Sequence, residues 1–369
     1  MKKISSLEYN TLIWFIIKAC YTELTITAIL VRTRQDTYIS TIIGSIIGLI
    51  PFAIYEVLKN KYPDDNFITL NKKLFKRGYL LNIILLIGSL IALICTFWIL
   101  VHFTNSLFLY KTSSWIISFT LMVPIMYASS KGINVISKVS LILFYMSVFI
   151  IFIIMTGTFN EIDINNIRPV FNTDIGNIVH SSLIFTAFNI LKVFFLGLIP
   201  KNMVNKYSSK MNFLTYFIVC ISMIDLTIST ICIFGIDLST LYEFPAFQIL
   251  KRVNILGVID RAESILSVEG IFSIFTEMTI ITCFASEIVK ETFKIKEKTD
   301  KYIIVFICLI TLVISNLIFK NQEFGETFFT GPLLYVIYTV CLLIPCITFI
   351  KSFRYSKLVD HKDCYSAYK

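Results

Sequence analysis

Apolar runs about as long as a bilayer is thick recur from one end of this chain to the other, and they restrict it to one class of structure. Ten of them, near residues 8–30, 38–58, 79–109, 113–129, 139–159, 178–200, 211–235, 266–289, 302–319 and 332–350, approach the roughly 20 apolar residues that a helix needs to cross the hydrocarbon. Lipid offers no hydrogen bonds, so such runs must satisfy their own backbone as helices. The expected fold is all-α and integral to the membrane, with about ten transmembrane helices in a single domain over 1–369. Charged residues are 15% of the chain, against about 25% in soluble domains.

The lysines and arginines between the runs set the orientation. With the N-terminus in the cytoplasm, the inner segments hold 23 of them and the outer loops 8. Positive residues gather on the cytoplasmic side, so both termini are expected there, and 236–265 is expected outside. The net charge of +9 has the same origin; no basic run interleaved with aromatics points to nucleic acid. The first apolar run contains Lys18 and Glu23 and lacks a small-residue cleavage site, so it is not read as a signal peptide.

Ten spans divide into five plus five. Because five is odd, the halves have opposite orientation, which is the plan of an inverted-repeat transporter of the amino-acid-transporter type. The halves would be 8–159 and 178–350, and spans one and six would be the paired helices lining a site. Each carries a lone lysine at mid-depth, Lys18 and Lys192. A charge there costs at least about 2.5–3.5 kcal/mol, so it faces a partner, water or a ligand. Lys18, Tyr21, Thr22 and Glu23 form one candidate ligand-binding group. Asn189 and Lys192, a few residues apart on span six, form another. Trp98 on span three shares a face with His102 and is a candidate ring over a ligand. Glu269, Ser273 and Glu277 recur every four residues on span eight as an inward polar stripe. The alternative in each case is structural: an ion pair between spans (for Lys192 with Asp225 or Glu269), aromatic packing, or helix–helix hydrogen bonding. Gly44 and Gly48 form a Gly-x-x-x-Gly suited to internal helix packing.

The segment 244–264, "FPAFQILKRVNILGVIDRAES", has apolar residues at helical spacing among five charges. It is expected to be an extracytoplasmic amphipathic loop helix within 236–265, with Pro245 at its start.

This stretch resembles the most characteristic loop of the spore germination permease family, the B subunits of spore germinant receptors within the amino acid-polyamine-organocation transporter superfamily. The residues that carry the likeness are Phe244-Pro245-Ala246-Phe247, Arg252-Val253 and Arg261-Ala262-Glu263. "ISSLEYNTLIWF" at the start, "RQDTYIS" at 34–40 and "RPVF" at 168–171 resemble further family segments. Two departures stand out. Span one, "KACYTELTITAILVRTRQD", has neither the glycines nor the proline common in relatives, and Asn189 stands where a carboxylate is frequent. The resemblance implies a membrane subunit of a germinant receptor in the spore inner membrane. It would bind a small nutrient germinant, an amino acid, between spans one, three, six and eight, and would work with A and C subunits. Pro245, Phe247, Arg261 and Glu263 would then serve coupling or docking. The alternatives are an amino-acid or ion transporter acting alone, or a structural subunit with a closed pocket.

Other classes find little support. No Gly-x-Ser-x-Gly, His-Glu-x-x-His or phosphate-cradling loop is present, so no enzyme is expected. Eight of nine cysteines lie within apolar runs, Cys364 lies in the polar tail, and none forms a Cys-x-x-Cys pair. No metal or other cofactor is expected.

Overall fold

The computed structural model describes residues 3–158, 161–252, 263–295, 299–319 and 322–354. All ten expected runs are helical in it. Eight helical stretches have the length and hydropathy to cross a membrane. The first of these, Ser6–Lys61, contains two of the expected spans, separated by a tight turn at Arg34–Asp36. The remaining span is helix α6, Ser114–Lys131, whose serines, Pro124 and Lys131 dilute an apolar centre.

In chain order, span one is α1 (Ser6–Lys18) and α2 (Ile26–Thr33), and span two is α3 (Thr37–Lys61). A short helix α4 (Phe67–Leu74) follows, where sequence reading placed a loop; Asn66 caps it by accepting the Thr69 N–H at 2.8 Å. Spans three to five are α5 (Gly78–Leu107), α6 and α7 (Ile133–Thr158). Span six begins with α8 (Ile175–Phe185). Span seven is α9 (Ser209–Leu241), kinked at Gly235, where φ is 67°. α10 (Pro245–Arg252) leads toward span eight, α11 (Glu263–Phe293). Then come α12 (Asp300–Ile318), α13 (Gln322–Thr330) and α14 (Pro332–Tyr338), the last continuing as span ten to Arg354. α13 is a further helix that the apolar pattern did not mark.

The start of span one is fixed twice. Ser5 and Glu8 form a reciprocal capping box at 3.2 and 2.7 Å, and Ile4–Ser5 pairs in parallel with Val204–Asn205 just after span six. Above this point α1 packs against α7, α9 and α11. Gly44 and Gly48 lie where α3 meets span six. An added Cβ would come within 2.7 Å of Phe185 at the first and within 2.3 Å of Ile190 at the second. The Gly-x-x-x-Gly is therefore internal packing.

The amphipathic segment is a helix from Pro245 to Arg252, and Phe244 and Phe247 bury their rings against Phe103. Arg261 lies outside the described residues. Glu263 opens α11, and its side chain also lies outside them. The eight described cysteines are free thiols.

Candidate functional site

Spans one and six both lose regular helix at the same level. α1 stops at Lys18. Cys20 then takes a left-handed conformation (φ 65°, ψ 0°), and Tyr21–Thr25 form a π turn before α2 resumes. A left-handed non-glycine costs about 1–2 kcal/mol, so neighbouring contacts must hold it. On span six α8 gives way to a π turn at Thr186–Ile190 and then to a 3-10 stretch, Leu191–Leu198. Neither break uses Gly or Pro at its turning point, so the missing glycines of span one do not leave it continuous.

A broken helix leaves carbonyls without partners, and span six supplies donors to them. Asn189 Nδ2 donates to Ile17 O at 2.9 Å and to Ala19 O at 3.4 Å, and Lys192 Nζ donates to Ala19 O at 3.3 Å. The two lysines are then neutralised by span eight. Lys18 pairs with Glu269 at 2.9 Å, and Lys192 pairs with Glu277 at 2.8 Å. Lys192 thus takes neither of the partners expected for it, Asp225 or Glu269. Ser147 of span five donates to Glu269 at 2.7 Å, and the Cys20 thiol at 3.7 Å and the Thr96 hydroxyl at 3.5 Å turn toward Glu277. Lysines and carboxylates alike are at most 6% exposed. Such burial is tolerable only with close pairing and further hydrogen bonds.

Glu23 is the third carboxylate at this level, and among the described residues it forms no ion pair of its own, since Lys18 and Lys192 pair with Glu269 and Glu277. It is 1% exposed. One oxygen accepts the Thr22 hydroxyl at 2.6 Å, while Oε2 has no hydrogen-bond partner among the described residues. It lies against Gly270, where an added Cβ would fall 1.8 Å from Oε1. Asn189 Oδ1 is likewise unpartnered. With every group ionised, two lysines face three carboxylates, and the break has two unmet acceptors beside it.

The other expected site residues divide by role. The Tyr21 hydroxyl is shared with Thr227 and donates to Met223 O at 3.1 Å, tying the break to α9. Ser273 donates to Glu269 O on its own helix at 3.1 Å. Trp98 stacks on His102 (centroids 5.3 Å, planes 9° apart) and fills the space over Gly325. His102 meets Glu243 at 2.5 Å. Phe188 and Phe329 stack at 3.7 Å. The structure therefore joins Lys18, Glu23, Asn189, Lys192 and Glu269 around the break, anchors the break to α9 through Tyr21, and leaves Trp98 in packed aromatic surroundings.

The sequence reading counted Cys20 only among the polar residues between Lys18 and Glu23, and it did not place Thr96 or Ser147 in the site. Small polar residues in apolar helices give no signal of what they face. Glu277 was recognised only as one step of a stripe.

Two of the segments singled out in the sequence meet at the far end of the bundle from Ser6. Asp36, from "RQDTYIS", accepts the backbone N–H of Phe171, from "RPVF", at 2.7 Å, and that of Thr173 at 2.9 Å. They are the two halves of one loop anchor.

Comparison with known proteins bears on the family and the fold. The profile of a family described as "Spore germination protein" matches residues 3–324. Spore germination protein YndE of Bacillus subtilis (strain 168) is 26% identical over 270 residues, 71% of this chain and 73% of that protein. Spore germination protein KB of the same organism is 25% identical over 338 residues, 86% of each chain. Among solved structures, Mhp1, a nucleobase-cation-symport-1 family transporter in a closed conformation, superposes with a TM-score of 0.59 over 94% of this chain and 78% of that one. At 11% identity that likeness concerns the fold: an all-helical membrane architecture of the transporter type. The chain is an integral membrane protein of permease-like build, and it belongs to the spore germination protein family.

Proposed function

We propose that this protein is the membrane subunit of a spore germinant receptor and that it binds a small amino-acid nutrient at the break of spans one and six. The observation that carries the reading is the shortage of donors there. Glu23 Oε2 and Asn189 Oδ1 are buried acceptors with no donor among the described residues, and each such group costs about 1–3 kcal/mol. A primary ammonium offers three donors and a positive charge, and it answers both deficits. On this reading A and C subunits are the partners, the spore inner membrane is the location, the termini are cytoplasmic and α10 lies outside. Spans 8–159 and 178–350 are the two inverted halves. The edge formed by Pro245 and Phe247 serves docking or coupling together with Arg261 and Glu263.

The test is thermal stabilisation of the purified chain across L-amino acids, each beside its deaminated acid. Stabilisation by one or more amino acids and not by the matching acids is expected, and it should be lost in Glu23→Gln. Equal shifts from acid and amino acid would end the reading.

The transporter fold keeps a second reading in view, uptake by the chain alone. Counterflow of the stabilising amino acid, radiolabelled, in liposomes holding only this protein would favour it.

A further inference from the structure

Span one packs on α7 to one side and on α9 to the other, while α7 and α9 scarcely meet. Between them, with span one as its floor, lies a cavity of about 430 Å³. Pockets of roughly 300–1,000 Å³ with a mainly apolar lining and a few placed polar groups are the usual form of a small-molecule site. This one opens sideways: Val148 and Ile221 at its edge are 43% and 63% exposed.

Its polar groups set the charge of what it takes. Lys18 and Thr22 lie on the floor, and Lys18 is already neutralised by Glu269. Asp225 of α9 is exposed into the cavity and makes no hydrogen bond or ion pair among the described residues. A carboxylate within a membrane span is costly unless something pairs with it. The Trp14 ring also lines the space, its Nε1 without a hydrogen-bond partner among the described residues. The Lys18 ammonium already lies 5.7 Å from the centre of that ring, so Asp225 is the group left to receive a further cation.

We infer that this lateral cavity between spans one, five and seven is a second binding site, for a primary ammonium on a short apolar chain that arrives from the bilayer side. Asp225 takes the ammonium, and the isoleucines and phenylalanine of α7 and α9 take the chain. The site adjoins the break and shares Lys18 and Thr22 with it, but its carboxylate is Asp225 on span seven, and Glu23 is not part of its lining. An apolar amino acid and a simple amine share this chemistry.

The test uses the full chain in phosphatidylcholine nanodiscs, titrated with 3-methylbutylammonium, L-leucine and 3-methylbutanoate, with melting temperature as the readout. Saturable stabilisation by the ammonium is expected. Asp225→Asn, at an exposed position, should raise its Kd at least tenfold, and Ile221→Trp, which fills the mouth, should do the same. The acid should not bind. If leucine binding also falls tenfold in Asp225→Asn, the natural source is an amino acid. If only the amine depends on Asp225, the source is a simple amine. Absence of saturable ammonium binding overturns the inference. So does a Kd unchanged in Asp225→Asn, which would mark the cavity as a seat for any apolar chain.

Discussion

Lys192 and Glu277 form the most enclosed ion pair among the described residues, 3% and 0% exposed with 2.8 Å between them. Lys192→Met removes the cation that pairs with Glu277 among the described residues and leaves the carboxylate facing Cys20 and Thr96, whose weak or long contacts of 3.7 and 3.5 Å cannot replace a charge. Breaking a buried pair from one side costs about 3–5 kcal/mol, because the survivor stays charged and unpaired. The lost bond to Ala19 O adds about 0.5–1.5 kcal/mol. Neutralising both partners, Lys192→Met with Glu277→Gln, removes the stranded charge, and replacement of whole buried pairs is often neutral or stabilising. The double variant should therefore melt close to the parent, and the single variant well below it. Melting of the purified protein at fixed detergent and lipid is the assay. A single variant as stable as the parent, or a double variant no better than the single, would refute the electrostatic account. The double variant also separates structure from signalling. Spores carrying it at normal protein levels should fail to answer their nutrient if the pair belongs to the binding site, and a normal dose response would confine the pair to holding the fold.

Gly270→Ala should displace Glu23, because the new Cβ would sit 1.8 Å from its Oε1. A loss of about 1–3 kcal/mol is expected from such overpacking, read as a lower melting temperature together with loss of any nutrient-induced shift. Cys20→Gly should be tolerated or stabilising, since glycine adopts φ 65° freely. Cys20→Val should lower the melting temperature, because a β-branched side chain fits the left-handed region worse than cysteine does, and a glycine variant melting above the valine one checks the strain assigned to this turn. Gln248→Cys, on α10, should react with a membrane-impermeant thiol reagent only from the face opposite the termini. Labelling from the terminal face would reverse the orientation.

What the sequence disclosed follows from how strongly each feature is constrained. Length and hydropathy fix a crossing helix almost alone, so all ten runs emerged as helices. The lysines at 18 and 192 stood out because a mid-membrane charge must be explained. Their partners were less legible. Pairing depends on how far each break shifts its helix, and the break in span one is made by Cys20, a residue with no bias toward the left-handed region. The unmet oxygen of Glu23 was hidden for the same reason, since nothing linear says that Thr22 takes one oxygen and Gly270 crowds the carboxyl. Short helices at Phe67–Leu74 and Gln322–Thr330 were missed because their polar residues resemble loops; tertiary contact makes them helical, as when α13 packs Gly325 under Trp98. The segments 34–40 and 168–171 were noticed separately, and only folding joined them through Asp36.

The proposed site also implies which nutrients signal. Driving a two-state receptor from about 1:99 to 99:1 takes roughly 5.5 kcal/mol of preference for the bound form. An ammonium on Glu23 Oε2 gives a charged hydrogen bond, about 1.5–3 kcal/mol, and one on Asn189 Oδ1 a further charge-assisted bond of similar size at most. Together these fall between about 3 and 6 kcal/mol, and much of that is offset where the ligand competes with Lys192 and Asn189 for the Ala19 and Ile17 carbonyls. The remainder must come from apolar burial, at about 25 cal/mol per Å². A deficit of 2 kcal/mol then corresponds to about 80 Å², which glycine lacks and a branched aliphatic side chain supplies. On this reading glycine should bind and compete without triggering germination, whereas valine or leucine should do both. Spores that respond to glycine as fully as to leucine would show that the polar contacts suffice and that burial of the nutrient's side chain takes no part in the switch.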